Sequence, residues 1–164
     1  MKKVIVFIIL IYPLAVLSQK IKKSDLIGEW HVIKTEFLVN NQLIREAYIS
    51  QTSNSSDTII NGPDIGEMNK MSDSLIRASL NSKFIFQDHD TFDYYISIKD
   101  LEMKDKYWTL SNDSSEIVIN EWENKDEKIY GLMSYTIAKF ENEILSLFNN
   151  DSGQEIKYDL IKIK

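Results

Sequence analysis

From Glu29 to the end of the chain, apolar and polar residues alternate in short runs broken by polar turns. Phe84 and Phe86 share one face of such a run, as do Phe92, Tyr94, Ile96 and Ile98 in the next. Ile117 with Ile119, and Ile156 with Tyr158 and Leu160, repeat the arrangement. A period of two with polar partners marks half-buried antiparallel strands, not the continuous apolar runs of a parallel sheet. The pattern predicts strands over 29–39, 43–50, 83–88, 91–98, 107–110, 116–123, 128–140, 143–149 and 154–164. The turns between them are dominated by Asn, Asp and Gly, which tolerate left-handed backbone or bond it locally. Residues 51–63, rich in Ser, Thr, Asn and Asp, read as an exposed loop. Eight or nine strands joined mostly by short hairpins predict an all-β fold, a single up-and-down antiparallel β-barrel, because closure removes exposed sheet edges. A curved open sheet with one helix packed on it is the competing architecture.

One stretch breaks the period. Ile65, Met68, Met71, Leu75, Ile76 and Leu80 recur at helical spacing, and Asp64 with Glu67 fits a capping box. An inserted amphipathic helix over 65–80 follows, a rod of roughly 24 Å that can lie across the mouth or flank of a small barrel. Its apolar face, with Met68, Met71, Leu75 and Ile76, is set against Asn69, Lys70, Asp73 and Arg77 on the wetter side.

The first nineteen residues read as processing rather than fold. Lys2 and Lys3 precede an apolar run from Val4 to Leu17, and Val16 with Ser18 supplies small residues for a signal peptidase. Interrupted by Pro13, the run is short of the roughly 20 residues needed to span a bilayer. The expectation is a cleaved signal peptide over 1–19 and one mature domain over 20–164, exported to the periplasm or the exterior, with no membrane anchor after cleavage. The sequence has no cysteine, which excludes disulfides, thiolate metal sites and a lipid-bearing N-terminal cysteine. Loss of Lys2 and Lys3 takes the formal net charge from −6 to −8. An acidic domain with scattered lysines and only Arg45 and Arg77 is a poor match for nucleic acid or an anionic membrane.

Leu26-Ile27-Gly28-Glu29-Trp30 places a Gly-x-Trp after the signal and at the start of the first strand. Lys83 to Asp88 runs through a turn into Thr91-Phe92; Trp108-Thr109-Leu110 leads through another into Ile117-Val118-Ile119; 143–148 and 155–163 close the series. Together these features resemble the lipocalin-like domains of exported Bacteroidetes-type bacterial proteins. The resemblance implies a lipocalin or calycin-like barrel in which Gly28 permits a tight approach and Trp30 plugs the closed end. The larger family sets an arginine over that tryptophan; with no arginine after Arg77, Lys157 or Lys162 must take the role through a cation–π contact.

Chemistry-bearing motifs are sparse. The five glycines are too dispersed for a phosphate loop, no serine sits in a nucleophile elbow, and His31 and His89 are far apart. Asp88-His89-Asp90 with Asp93 is the densest ligand-like cluster, and it reads as a hairpin turn. No catalytic residue, cofactor or metal site is expected. An eight-stranded barrel is at the size where side chains either fill the interior or leave room for one small ligand. The candidate ligand-binding set is Phe84, Phe86, Phe92, Tyr94, Tyr135 and Tyr158, with Met68 and Met71 on the helix. The expected role is non-enzymatic binding of a small hydrophobic molecule in the barrel mouth. The alternative is a secreted module with a solid barrel that recognises a protein partner through its loops and helix.

Overall fold

The computed structural model describes residues 20–52, 55–63, 68–98, 101–121, 133–151 and 154–164. Its elements are helix α1 (Lys23–Leu26), strands β1 (Gly28–Val39), β2 (Gln42–Thr52) and β3 (Ser55–Asn61), helix α2 (Met68–Leu80), and seven more strands. These are β4 (Lys83–Phe86), β5 (Thr91–Tyr95), β6 (Met103–Leu110), β7 (Glu116–Asn120), β8 (Met133–Glu141), β9 (Ile144–Asp151) and β10 (Gln154–Lys162). Strands β4 to β10 run up and down in sequence order, and β10 pairs with β1, so eight strands close into an antiparallel barrel with β2 and β3 as two extra strands.

β1 is the seam of the molecule. One edge pairs with β10 from Trp30 to Val39. The other is shared: Gly28 to His31 pair with β4, and Lys34 to Val39 pair with β2. A bulge between Val32 and Lys34 shifts the inward set, so that Trp30 and Val32 give way to Thr35. The extra residue of a bulge resets the alternation and bends the strand, as a small barrel requires.

Residues 51–63 are therefore not a plain loop. β3 occupies most of them and pairs with β2 from Glu46–Asn61 to Thr52–Ser55. α2 then returns to the barrel against β1 and β2. β4 is short, beginning at Lys83, and the end of the helix takes over the wall above it: Ile76, Ala78, Ser79, Leu80 and Ser82 are buried there. Arg45 on β2 is also buried, donating to the Pro63 carbonyl at 2.6 Å and facing Asp73 of the helix at 3.1 Å. Asp73, expected on the wetter side, thus anchors α2 to the hairpin. Asp64 and Glu67, the expected capping pair, lie outside the described residues, as do 1–19 with the expected signal, 122–123 of the expected sixth run and 128–132 of the seventh.

The two-residue turns explain themselves. Asn40 and Asn41 between β1 and β2, and Asn142 and Glu143 between β8 and β9, all have positive φ of 50° to 64°. That is the backbone whose twist matches a two-residue hairpin.

Candidate functional site

The interior divides into a filled half and a hollow half. At the closed end α1 covers the barrel, with Leu26 fully buried and its carbonyl accepting the Trp30 indole N–H at 2.7 Å. Trp30 is fully buried, as the motif implied, and Phe140 packs on it in a T-shaped contact with ring centres 6.2 Å apart. Lys162 lays its stem across this end. Its Nζ is 5.3 Å from the Trp30 ring centre and donates to the Asp25 carbonyl at 3.0 Å. Gly28, at φ +135°, makes the space: a Cβ there would stand 2.7 Å from Lys162 Cε. Of the two lysines proposed for this role, Lys162 fills it.

Above that plug lies an aromatic layer. Phe86 packs on Trp108 and Phe92 at 5.0 and 5.1 Å, and Phe84 is its hub. The rings of Tyr94, Tyr135 and Tyr158 stand 4.9, 5.5 and 5.5 Å from Phe84, in edge-on arrangements that suit aromatic quadrupoles. Phe84, Phe86 and Phe92 are 0–1% exposed and form packed core beneath the site.

The hollow half begins at the three tyrosines. A cavity of about 500 Å³ rises from them to the open end. Its walls are mostly apolar, with Phe37, Ile76, Ile96, Met103, Met133 and Ile156 among them, and Leu75 and Leu101 stand 42% and 50% exposed at its mouth. The hydroxyl groups gather at the floor: Thr35 from β1, Ser79 from α2, and Tyr94, Tyr135 and Tyr158 from β5, β8 and β10, while Glu102, Asn149 and Gln154 are the other polar lining residues. Tyr94 is hydrogen-bonded to Ser82 and Tyr158, and Tyr158 also to Ser79. Burial pushes the Tyr94 phenol above its ordinary value, and those bonds only partly offset it. Burial holds Tyr135 and Tyr158 well above theirs, with the Tyr94 oxygen adding to the effect. All three phenols therefore keep their protons at neutral pH and serve as neutral hydrogen-bonding groups. Thr35 differs. It is 1% exposed, lies across the ladder from Tyr158, and its Oγ1 has no hydrogen-bond partner among the described residues.

Of the candidate ligand residues, the structure brings Tyr94, Tyr135 and Tyr158 together at the cavity floor and puts the three phenylalanines below it. Met68 and Met71 begin α2, but their side chains lie outside the described set. Thr35, Phe37, Ile96, Ile98 and Ile156 line the cavity without having been singled out. Ile96, Ile98 and Ile156 continue the same alternating faces as Tyr94 and Tyr158, so the signal was present; Thr35 and Phe37 were hidden by the bulge in β1.

Other candidates resolve as local structure. Asp93 accepts from the Asp105 amide at 2.8 Å and from Gln87 at 3.2 Å, and Asp90 pairs with Lys23. Among the described residues no group of three His, Cys, Asp or Glu could hold a metal ion. His31 bonds Glu29 on the barrel surface at 2.6 Å, a contact that leads the lowering of the Glu29 carboxyl. A larger groove of about 1020 Å³ runs outside the closed end past Asp25, Asp113, Glu141 and Lys162, but its mixed charged walls give it no single chemical character. Comparison with family models, with curated proteins and with solved structures finds no match for this chain.

Proposed function

We propose that this chain is an exported lipocalin-like carrier, not an enzyme, that takes one small apolar molecule into the open end of its barrel. The cavity of about 500 Å³ above the tyrosine floor carries this reading. Its size falls in the usual range for small-molecule sites, as does its makeup of apolar walls with a few convergent polar groups. Exposed Leu75 and Leu101 at the mouth offer a first apolar contact to an arriving ligand. The driving force is burial of apolar area, at roughly 25 cal/mol per Å² removed from water. The Gly28–Trp30 plug and the barrel closure agree with the lipocalin-like resemblance. Five neutral hydroxyls at the floor, with no lysine, arginine or histidine among the described lining residues, suit holding a molecule better than transforming it. The solid-barrel alternative requires a filled upper half, and the cavity weighs against it.

The test is titration of the mature protein with an environment-sensitive apolar dye, followed by displacement with unlabelled hydrophobes. Saturable binding of one dye per chain, displaced competitively, is the expected result. No saturable binding by any apolar dye overturns the reading.

A further inference from the structure

Resting on that reading, we infer that the occupant is a neutral lipophile bearing a hydroxyl or carbonyl oxygen, and that this oxygen enters first and bonds to Thr35 Oγ1 at the cavity floor.

Polar groups occur at both ends of the cavity, and their surroundings decide between them. At the rim, Glu102 is exposed and pairs with Lys104 at 3.2 Å, and Gln154 is exposed as well. Water already serves those groups, so a ligand bonding there exchanges one partner for another. At the floor, Thr35 Oγ1 is buried and unpartnered, and it sits beside the Tyr94–Tyr158–Ser79 chain of hydroxyls. Oγ1 is closed to solvent in this structure, so a rotation about χ1 must turn it toward the cavity that Thr35 lines, where a ligand oxygen completes a bond that the protein alone leaves unmade. A hydroxyl or carbonyl is the matching chemistry, because a threonine hydroxyl both donates and accepts.

Charge selects against the commonest alternative, a fatty-acid carboxylate. Every polar floor group is an uncharged hydroxyl, and no described lining residue is cationic. A carboxylate pushed to the floor would lose its water without gaining a counter-ion. Turned outward, it would stay in water beside the Glu102–Lys104 pair and gain no bond at the floor. The volume accommodates on the order of 15 heavy atoms at the roughly 30 Å³ that one water occupies in the liquid, which suits a dodecyl chain with a small head.

The experiment compares dodecanol, methyl dodecanoate and dodecanoate as competitors of the bound apolar dye at pH 7.5, with wild type and Thr35→Val. Val keeps the shape of Thr and removes only the unpartnered oxygen. The expected result is that dodecanol and the ester displace the dye, and dodecanoate does so about tenfold less well or worse. Thr35→Val should weaken dodecanol by roughly 2- to 10-fold relative to the dye, a hydrocarbon without oxygen, when both affinities are measured on both proteins; that is the range of one net hydrogen bond. Dodecanoate binding as tightly as dodecanol overturns the inference and leaves the carrier reading standing, as does a dodecanol affinity unchanged relative to the dye in Thr35→Val. Failure of the dye itself to bind wild type overturns both.

Discussion

Trp30 and Thr35 are two buried residues of one strand with opposite standing. Trp30 has every need met: its indole N–H is bonded to Leu26, Phe140 packs on it in a T-shaped contact, and Lys162 covers its face. Trp30→Ala should therefore cost about 3–5 kcal/mol, the usual result of emptying a large buried site; denaturant unfolding that shifts by less than about 1 kcal/mol would show the plug to be unimportant. Thr35 leaves one need unmet. Replacing an unsatisfied hydroxyl by a methyl of the same shape removes a desolvation penalty and no bond, so Thr35→Val should leave the ligand-free protein as stable as before or up to about 1 kcal/mol more stable. A loss of stability measured by the same unfolding experiment would mean that Oγ1 has a partner after all. The plug was legible through the lipocalin-like resemblance, which Gly28 and Trp30 carry by their place before the hairpin series. For its cation the sequence offers Lys157 or Lys162, and the structure selects Lys162, which follows Tyr158 and Leu160 on the inward face. Thr35 was not legible, because a bulge has no clear sequence mark and shifts the parity beyond it.

Strands whose alternation is apolar on one face were read within a few positions of their bounds, and β3 was lost. Its Ser55-Ser56-Asp57-Thr58 half carries no apolar residue, so nothing distinguished it from a loop; pairing with β2, a contact remote from its own composition, makes it a strand. The helix was legible from its period, but its partner was not. Arg45 sits on a strand face that a surface arginine would also occupy, and the segment at Gly62–Pro63 together with the returning helix buries it. Asp73 is 38% exposed, so solvent screens the pair and its contribution is modest. Asp73→Ala should cost about 1 kcal/mol, leaving Arg45 with the Pro63 carbonyl. It should also speed amide exchange over residues 73–80 more than in β8 and β9; uniform exchange rates across all three would refute the anchoring role. The β6–β7 turn offers a pH-dependent counterpart. Asp113 accepts from the Ser111 and Ser115 hydroxyls and the Ser115 amide, bonds that lower its carboxyl from 3.8 to about 2. A depressed carboxyl stabilises the turn above its unfolded value and loses that contribution as pH falls through the folded one. In a carbon-detected NMR titration Asp113 should be among the last carboxyls to protonate, and midpoint behaviour near 3.8 would contradict the bonding.

A barrel of eight strands can be solid or hollow, and this one is both, with the boundary at the Phe84 layer. That division was beyond the reach of the sequence. Alternation tells which side chains point inward, but the volume left over depends on how eight strands and a helix converge. Here α2 replaces the upper part of β4, and Ile76 and Ser79 contribute to the lining there. The two halves should answer oppositely to the same kind of substitution. Ile96 is 8% exposed and faces the cavity, whereas Leu147 is 1% exposed on β9 within the packed core. Enlarging a side chain in a filled core forces strain and typically costs about 1–3 kcal/mol. Leu147→Trp should show that cost. Ile96→Trp, with empty space in front of it, should cost under about 1 kcal/mol and at the same time weaken the apolar dye by about tenfold or more, because the indole takes the ligand's place. Paired unfolding and dye-binding measurements on the two variants decide the matter. An Ile96→Trp protein as destabilised as Leu147→Trp would mean the upper half is packed in solution, and one that is stable yet binds the dye normally would put the ligand elsewhere.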